Sequence, residues 1–283
     1  MIVLRTRSAV LAWRAGLRGP LGFVPTMGFF HDGHLSLMRE ARRRAGPDGT
    51  VAISIFVNPT QFGPNEDLDA YPRDEAGDLE KAAGVGVDVA FCPTDPRELY
   101  AGSRTWVEVE GLDQHLCGRA RPGHFRGVCT VVAKLWGLIR PDVAIFGEKD
   151  YQQLAILRRM HADLCLGGEV VGMPIARETD GLAMSSRNAN LTEHSRQDAL
   201  AIPGFMDEVR RRFAAGERRS AALIAGARVA LRPGRVDYVE LVDAADLEPV
   251  ETIERPALCA VAVFFPSRGG GEVRLIDNAV LNP

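Results

Sequence analysis

The stretch Val24-Pro25-Thr26-Met27-Gly28-Phe29-Phe30-His31-Asp32-Gly33-His34-Leu35-Ser36-Leu37 decides the fold. Just before it, Leu21–Val24 is a short apolar run without charge, the pattern of a strand buried on both faces of a parallel sheet. Just after it, residues 34–45 place Leu35, Met38, Ala41 and Ala45 on one stripe and an arginine run on the other. That spacing predicts an amphipathic helix. The quoted residues are therefore a strand-to-helix turn. Turns of this kind lie at the carboxyl edge of a doubly wound sheet, where ligands bind. Gly28 and Gly33 permit close backbone approach. His34 falls at or near the helix N-terminus, where unpaired N–H groups and the macrodipole favour an anion. H-x-x-H alone also fits a solvated loop pair or two metal ligands, and two histidines without further ligands make a poor metal site.

The same alternation continues outward. Val51–Val57, Val87–Phe91, Val143–Phe146 and Val170–Gly172 read as further buried strands. Residues 124–139 carry Val128, Val131, Val132, Leu135 and Ile139 at helical spacing, and residues 150–163 do the same with Leu154, Leu157 and Met160. Strand–helix alternation implies an α/β fold with a Rossmann-like, doubly wound parallel sheet. After about residue 176 the pattern changes. Residues 192–231 read as helical with a break near Pro203, followed by strand-like runs Val236–Val242, Leu258–Phe265 and Val273–Ile276. We expect two domains, residues 1–175 and a smaller C-terminal α+β domain of residues 176–283. Ser267–Glu272 reads as a hairpin tip.

Composition bounds the function classes. The chain has 283 residues, with 34 Lys+Arg against 37 Asp+Glu and a net charge of −3. That balance argues against affinity for duplex nucleic acid, which needs many phosphate-neutralising cations. With 46% hydrophobic residues the chain has the apolar surface to order itself. No apolar run approaches the roughly 20 residues that span a bilayer. Residues 1–16 are interrupted by Arg5, Arg7 and Arg14 and lack a signal-peptide core. We expect a cytoplasmic protein without a membrane. The five cysteines, Cys92, Cys117, Cys129, Cys165 and Cys259, are scattered and read as small buried hydrophobes.

Four more segments carry polar groups at strand ends. In Ser54–Asp74, Gln61 follows a buried strand, and an amide there can bond both hydroxyl and carboxylate groups. Glu66, Asp67 and Asp69 form an acidic cluster that reads as solvated loop charge, with metal or amine binding as the alternative. In Arg121–Leu135, arginines lead into a helix whose valines read as core. In Pro141–Met160, a strand ends in Gly147-Glu148-Lys149-Asp150 before a helix. Asp150 is suited to capping that helix or holding Mg²⁺. Lys149 opposes the helix dipole, and a cation kept there suggests an anionic ligand. Gln153 shares a helix face with Asp150. In Arg177–Thr192, Ser185, Ser186 and Arg187 offer two hydroxyls and a guanidinium to phosphate.

The segments PTMGFFHDGH, NPTQF, GHFRGV, FGEKDYQQL and DGLAMSSRN occur in this order. Together with VDYVELVDAADLEPV and RLIDN they closely resemble the pantoate–β-alanine ligase (pantothenate synthetase) family over essentially the whole chain. The histidine corner and the later Met-Ser-Ser-Arg loop resemble the wider nucleotidyltransferase superfamily. The resemblance implies ATP-dependent condensation of (R)-pantoate with β-alanine through a pantoyl adenylate, releasing AMP, pyrophosphate and pantothenate. It implies ATP as substrate, Mg²⁺ on the phosphates, and a homodimer. His34, His31, Lys149 and Arg187 take catalytic positions. Met27, Gly28, His31, Gly33, His34, Gly147, Glu148, Lys149, Asp150, Ala176, Met184, Ser185, Ser186 and Arg187 match nucleotide contacts. Gln61 and Gln153 match pantoate contacts, and Gln61 also serves β-alanine. Asp150 is the candidate for Mg²⁺ with ATP. The smaller domain is implied to act as a lid hinged near residue 176.

This chain departs from the family at Phe29, where a small residue is usual. Bulk there would alter adenine fit or loop conformation. It also carries Pro266 and an inserted Ser-Arg-Gly-Gly-Gly on the smaller domain, expected to lie away from the catalytic set. An adenylyltransferase for a phosphorylated substrate would need extra cations, whereas the neutral amides Gln61 and Gln153 suit an uncharged, hydroxyl-bearing acid. A non-catalytic binding protein would not need His34, Lys149 and Arg187 intact. A tRNA-acylating enzyme lacks room for an anticodon-binding domain.

Overall fold

The computed structural model describes residues 1–63, 68–69 and 71–283. Glu66 and Asp67 of the acidic cluster lie outside the described residues. The chain divides into two compact units, Met1–Glu110 with Arg121–Glu148 and Gln153–Pro174, and Gly111–Ala120 with Lys149–Gln152 and Ile175–Pro283.

The first unit is the α/β part. Its strands are β1 (Ile2–Leu4), β2 (Leu21–Thr26), β3 (Thr50–Ile55), β4 (Val89–Phe91), β5 (Val143–Gly147) and β6 (Glu169–Met173). They form one parallel sheet in the order β1-β4-β3-β2-β5-β6. Helices α1 (Arg7–Gly16), α2 (Asp32–Ala45) and α3 (Glu75–Gly84) join the early strands. The short α4 (Arg97–Tyr100) follows β4, α5 (Leu116–Ala120) belongs to the second unit, and α6 (His124–Ile139) leads into β5. Helix α7 (Tyr151–Asp163) joins β5 to β6. Val24, Val51, Ile53, Ala90 and Ile145 pack with Met38 and Ala41 of α2, which is why these strands carry no charge.

β1 is not among the expected strands. The run Met1–Leu4 is apolar but ends at Arg5, the strand is only three residues long, and Ile2 and Val3 are exposed on the sheet edge, so neither length nor alternation marks it.

The second unit holds α8 (Glu193–Asp198), α9 (Ala201–Ala214), α10 (Ser220–Leu223), α11 (Ala227–Ala230) and an antiparallel sheet of β7 (Arg235–Asp243), β8 (Ala257–Pro266) and β9 (Glu272–Leu281). Its core joins Phe205, Met206 and Val209 of α9 to Val261, Val263 and Phe265 of β8. The expected break near Pro203 falls instead at Ala199–Leu200. Pro203 sits in the first turn of α9, where a missing N–H costs nothing. β9 runs on to Leu281, five residues beyond the expected Ile276.

Among the described residues, no helix is long and apolar enough to cross a membrane. Among the described residues no disulfide joins the cysteines. Burial pushes the thiols of Cys92 and Cys259 up to about 12, whereas Cys165 is exposed. Thiol titration of the native protein should therefore modify Cys165 first, and Cys92 and Cys259 only after denaturation. Prompt native labelling of Cys92 would contradict this packing.

Candidate functional site

In the first unit the chain builds outward from β2 through β3 to β4, then returns to place β5 and β6 on the other side. The order reverses between β2 and β5. A crevice outside the carboxyl ends of those two strands is where such sheets take ligands. β2 ends at Thr26, whose hydroxyl donates to Ser54 O (2.6 Å) and accepts from Gly28 N (3.3 Å). The chain then reverses through Gly28 (φ 86°) and Phe29 (φ 55°). Two consecutive left-handed residues cost energy at the non-glycine position.

A buried carboxylate holds that reversal. Asp78 of α3 is 1% exposed and accepts from Phe29 N and Phe30 N, both at 2.6 Å. Lys81, one turn on, donates to Phe30 O at 3.1 Å. Burial pushes the Asp78 carboxyl above its ordinary range, and the two backbone N–H groups oppose that rise. A Cβ at position 28 would lie 2.9 Å from Asp78 Oδ2, so the brace requires glycine there. Sequence reading missed Asp78. The signal available was its position on the same helical stripe as Ala82, the two buried residues of α3.

The reversal delivers two imidazoles to the start of α2. His31 is the N-cap, and its Nδ1 accepts from Gly33 N (3.2 Å). His34 is the third helical residue, and its Nδ1 accepts from His31 N (3.4 Å). Together they form a capping box made of histidines. Each Nδ1 is an acceptor, so the neutral ring carries its hydrogen on Nε2. The ring centroids are 4.2 Å apart. Met27, Gly28, Gly33, His31 and His34 thus share one corner. At Phe29 the backbone takes the left-handed turn and donates to Asp78.

Gln61 joins this corner. It is 9% exposed, ends a 3-10 turn (Pro59–Gln61) and donates to Met27 Sδ at 3.2 Å. Asn58 Nδ2 donates to Gln61 Oε1 and to Gly127 O, each at 3.1 Å. His124 Nδ1 lies 2.8 Å from Gln61 O, and Arg121 Nη1 lies 3.1 Å from His124 Nε2. Asn58, His124 and Arg121 are further residues that orient Gln61 without having been singled out for it. Gly147 and Glu148 stand at the end of β5, and Gln153 is half-buried on α7. Val131 and Val132 are buried in α6 as core.

The second unit gathers the other candidates. Lys149 and Asp150 lie in a 3-10 turn (Glu148–Asp150), with Lys149 Nζ 3.0 Å from Asp150 Oδ2. Ala176 O accepts from Met184 N (2.9 Å), closing a loop that carries Arg177 to Ala183. Ser185 then caps a 3-10 turn (Ser186–Asn190), its hydroxyl accepting from Arg187 N at 3.2 Å. Ser186 is buried and Arg187 half-buried. The inserted hairpin tip is less remote than expected. Arg268 N donates to Asn190 O (2.9 Å) and Ser267 pairs with Leu191, so the tip holds the far end of that turn.

Among the described residues no group of three His, Cys, Asp or Glu side chains could hold a metal ion. Asp150 alone, partly exposed, fits a Mg²⁺ carried mainly by phosphate oxygens and water.

Residues 2–280 match the family model described as pantoate-beta-alanine ligase. A pantothenate synthetase from Anaeromyxobacter dehalogenans is 55% identical over 95% of this chain and 93% of its own length. The crystal structure of pantothenate synthetase from Thermus thermophilus superposes with a TM-score of 0.92 at 43% identity, covering 100% of both chains. A pantoate-beta-alanine ligase from Francisella tularensis, crystallised with a β,γ-ATP compound and β-alanine, gives a TM-score of 0.80 at 30% identity over 99% of this chain and 97% of that one.

Proposed function

The chain belongs to the pantoate–β-alanine ligase family, and from that premise we propose how its residues join pantoate to β-alanine. It is an ATP-dependent ligase whose product is pantothenate. In the proposed first step a carboxylate oxygen of (R)-pantoate attacks the α-phosphorus of ATP. The bond to pyrophosphate breaks and pantoyl adenylate forms. In the second step the amine of β-alanine attacks the acyl carbon and loses a proton. The bond to AMP breaks, and AMP and pantothenate leave.

The roles follow from charge. His34 and His31 would present Nε2–H to phosphoryl oxygens, where an imidazole can donate a proton or stabilise charge. Lys149, Arg187, Ser185 and Ser186 would neutralise the polyphosphate as its charge redistributes. Backbone at Met27, Gly28, Gly33, Gly147, Glu148, Ala176 and Met184 would shape the nucleotide contacts. Gln61 and Gln153 would hold pantoate, with Gln61 also meeting β-alanine. Mg²⁺, held by the phosphates with Asp150, would supply charge neutralisation. Residues 1–175 and 176–283 are proposed as the working parts, the smaller excluding water from the hydrolysable adenylate. A cytoplasmic homodimer completes the reading.

The observation that carries this reading is the histidine capping box at the end of β2. The test is to incubate the protein with Mg-ATP, D-pantoate and β-alanine and follow AMP, pyrophosphate and pantothenate together. Equal amounts of all three, dependent on the amine, are expected. Absence of turnover with pantoate would overturn the substrate assignment.

A further inference from the structure

The carboxyl-terminal strand carries two adjacent buried polar residues that the mechanism above leaves without a task. On β9, Val273, Leu275, Ala279 and Leu281 form one row that enters the core of the second unit. Asp277 occupies the same row at 2% exposure. Its carboxylate accepts from both terminal nitrogens of Arg177, at 2.7 and 2.9 Å, and from Asn278 N at 2.7 Å. Arg177 also donates to Gly181 O at 2.9 Å. The pair therefore shapes the loop closed by Ala176 and Met184, which leads directly into Ser185, Ser186 and Arg187.

Asn278 points to the opposite face of the strand, as successive residues must. It is 6% exposed, and its Nδ2 donates to Lys149 O at 2.9 Å. The next residues of that segment are also tethered within the same unit. Tyr151 OH donates to Ala244 O (3.1 Å), and Gln152 donates to Leu112 O and His115 O (2.9 Å each) while accepting from Gly118 N (3.2 Å). The chain is thus held at three of the four residues 149–152, and the first hold is at the backbone of the cation itself. A lysine side chain is a long flexible stem with a point charge at its end. Where that charge can reach depends on where its own peptide is fixed.

We infer that Asn278 is a positioning residue for the adenylation step. It sets the backbone of Lys149, while its neighbour Asp277 sets the serine loop through Arg177. Two consecutive residues of one strand thereby register two phosphate-gripping segments that are distant in sequence. This rests on the reading that Lys149 grips the polyphosphate of ATP.

The test separates the half-reactions. Adenylation is read by pantoate-dependent exchange of pyrophosphate into ATP, and amide formation by supplying synthetic pantoyl adenylate with β-alanine. Asn278→Ala should lower adenylation about 10- to 100-fold, the loss a displacement of about 1 Å produces. It should raise the KM for ATP and leave amide formation from the adenylate within about twofold. Asn278→Asp keeps the shape but sets an oxygen against the Lys149 carbonyl, and should be at least as defective in adenylation. Circular dichroism and thermal unfolding identify any variant that has not folded. Unchanged adenylation in both variants, or a parallel fall of both half-reactions in a folded variant, overturns the inference. Lys149→Ala is the control. If it adenylates normally, the reading of Lys149 fails and this inference with it. If it is defective while both Asn278 variants are not, the inference about Asn278 alone fails.

Discussion

Replacing His34 by alanine is expected to lower pantoate adenylation by about 10²- to 10⁴-fold, the range for losing a positioned proton donor or charge. The substitution removes more than chemistry. His34 Nδ1 accepts from His31 N, so alanine also opens half of the capping box at the start of α2. That costs about 1 kcal/mol, and it blurs the interpretation of a single variant. His34→Gln resolves it. Glutamine at the third helical position is a favoured capping-box partner, so it can keep the bond to His31 N while lacking the imidazole. Pyrophosphate exchange and thermal unfolding should be measured on both. We expect the glutamine variant to unfold close to the parent and to be as inactive as the alanine variant. A glutamine variant with near-normal exchange would mean that His34 serves the helix and not the reaction.

Asp78→Ala is expected to be the most destabilising change at the corner, by about 3 kcal/mol. It removes the carboxylate that accepts from Phe29 N and from the buried Phe30 N, and losing the acceptor of a buried donor costs about 1–3 kcal/mol. It also releases a left-handed Phe29 that only its surroundings enforce. Chemical denaturation measures the loss, and a change under about 1 kcal/mol would refute the brace. The pH dependence has a definite sign. The carboxyl is raised above its ordinary value of 3.8, chiefly by burial. Its titration therefore contributes stability that is fully present below 3.8 and is lost as pH rises through the folded-state value. The parent minus Asp78→Asn difference in unfolding free energy should fall with rising pH across that window. A flat difference would mean the carboxyl is not raised.

Both of these residues bear on what could be read beforehand. The inner strands of the first sheet were legible because a parallel strand covered on both faces admits no charge, and Val51, Ile53 and Ile145 obey that rule. His31 and His34 were legible because glycines flank them at a strand-to-helix turn. Asp78 was not. It lies among Glu75, Glu80 and Lys81, where a carboxylate looks like ordinary helix surface. Asp277 misled in another way. The strand-like run ends at Ile276, and the Asp-Asn pair that follows it has a turn tendency. The turn tendency is overridden because each side chain has a tertiary partner, Arg177 for one and the Lys149 carbonyl for the other. In both cases the usable hint is one of phase. A charge falls where the period of the element places an apolar residue, on the stripe of α3 or in the inward row of β9.

The two sheets also differ in when they can form. β7, β8 and β9 pair with their neighbours in sequence, antiparallel. In the parallel sheet the edge strand must wait for a partner far along the chain, Ile2 meeting Val89. Contacts between near neighbours close sooner, because less loop entropy is lost before they form. The ion pair between Arg177 and Asp277 spans 100 residues. In refolding, the three-stranded meander should acquire amide protection early, and the loop leading to Ser185 should be ordered only after it. Pulsed hydrogen exchange would see that order directly, and simultaneous protection of both would exclude it. The proposed grip on the triphosphate is then among the last parts of the molecule to mature.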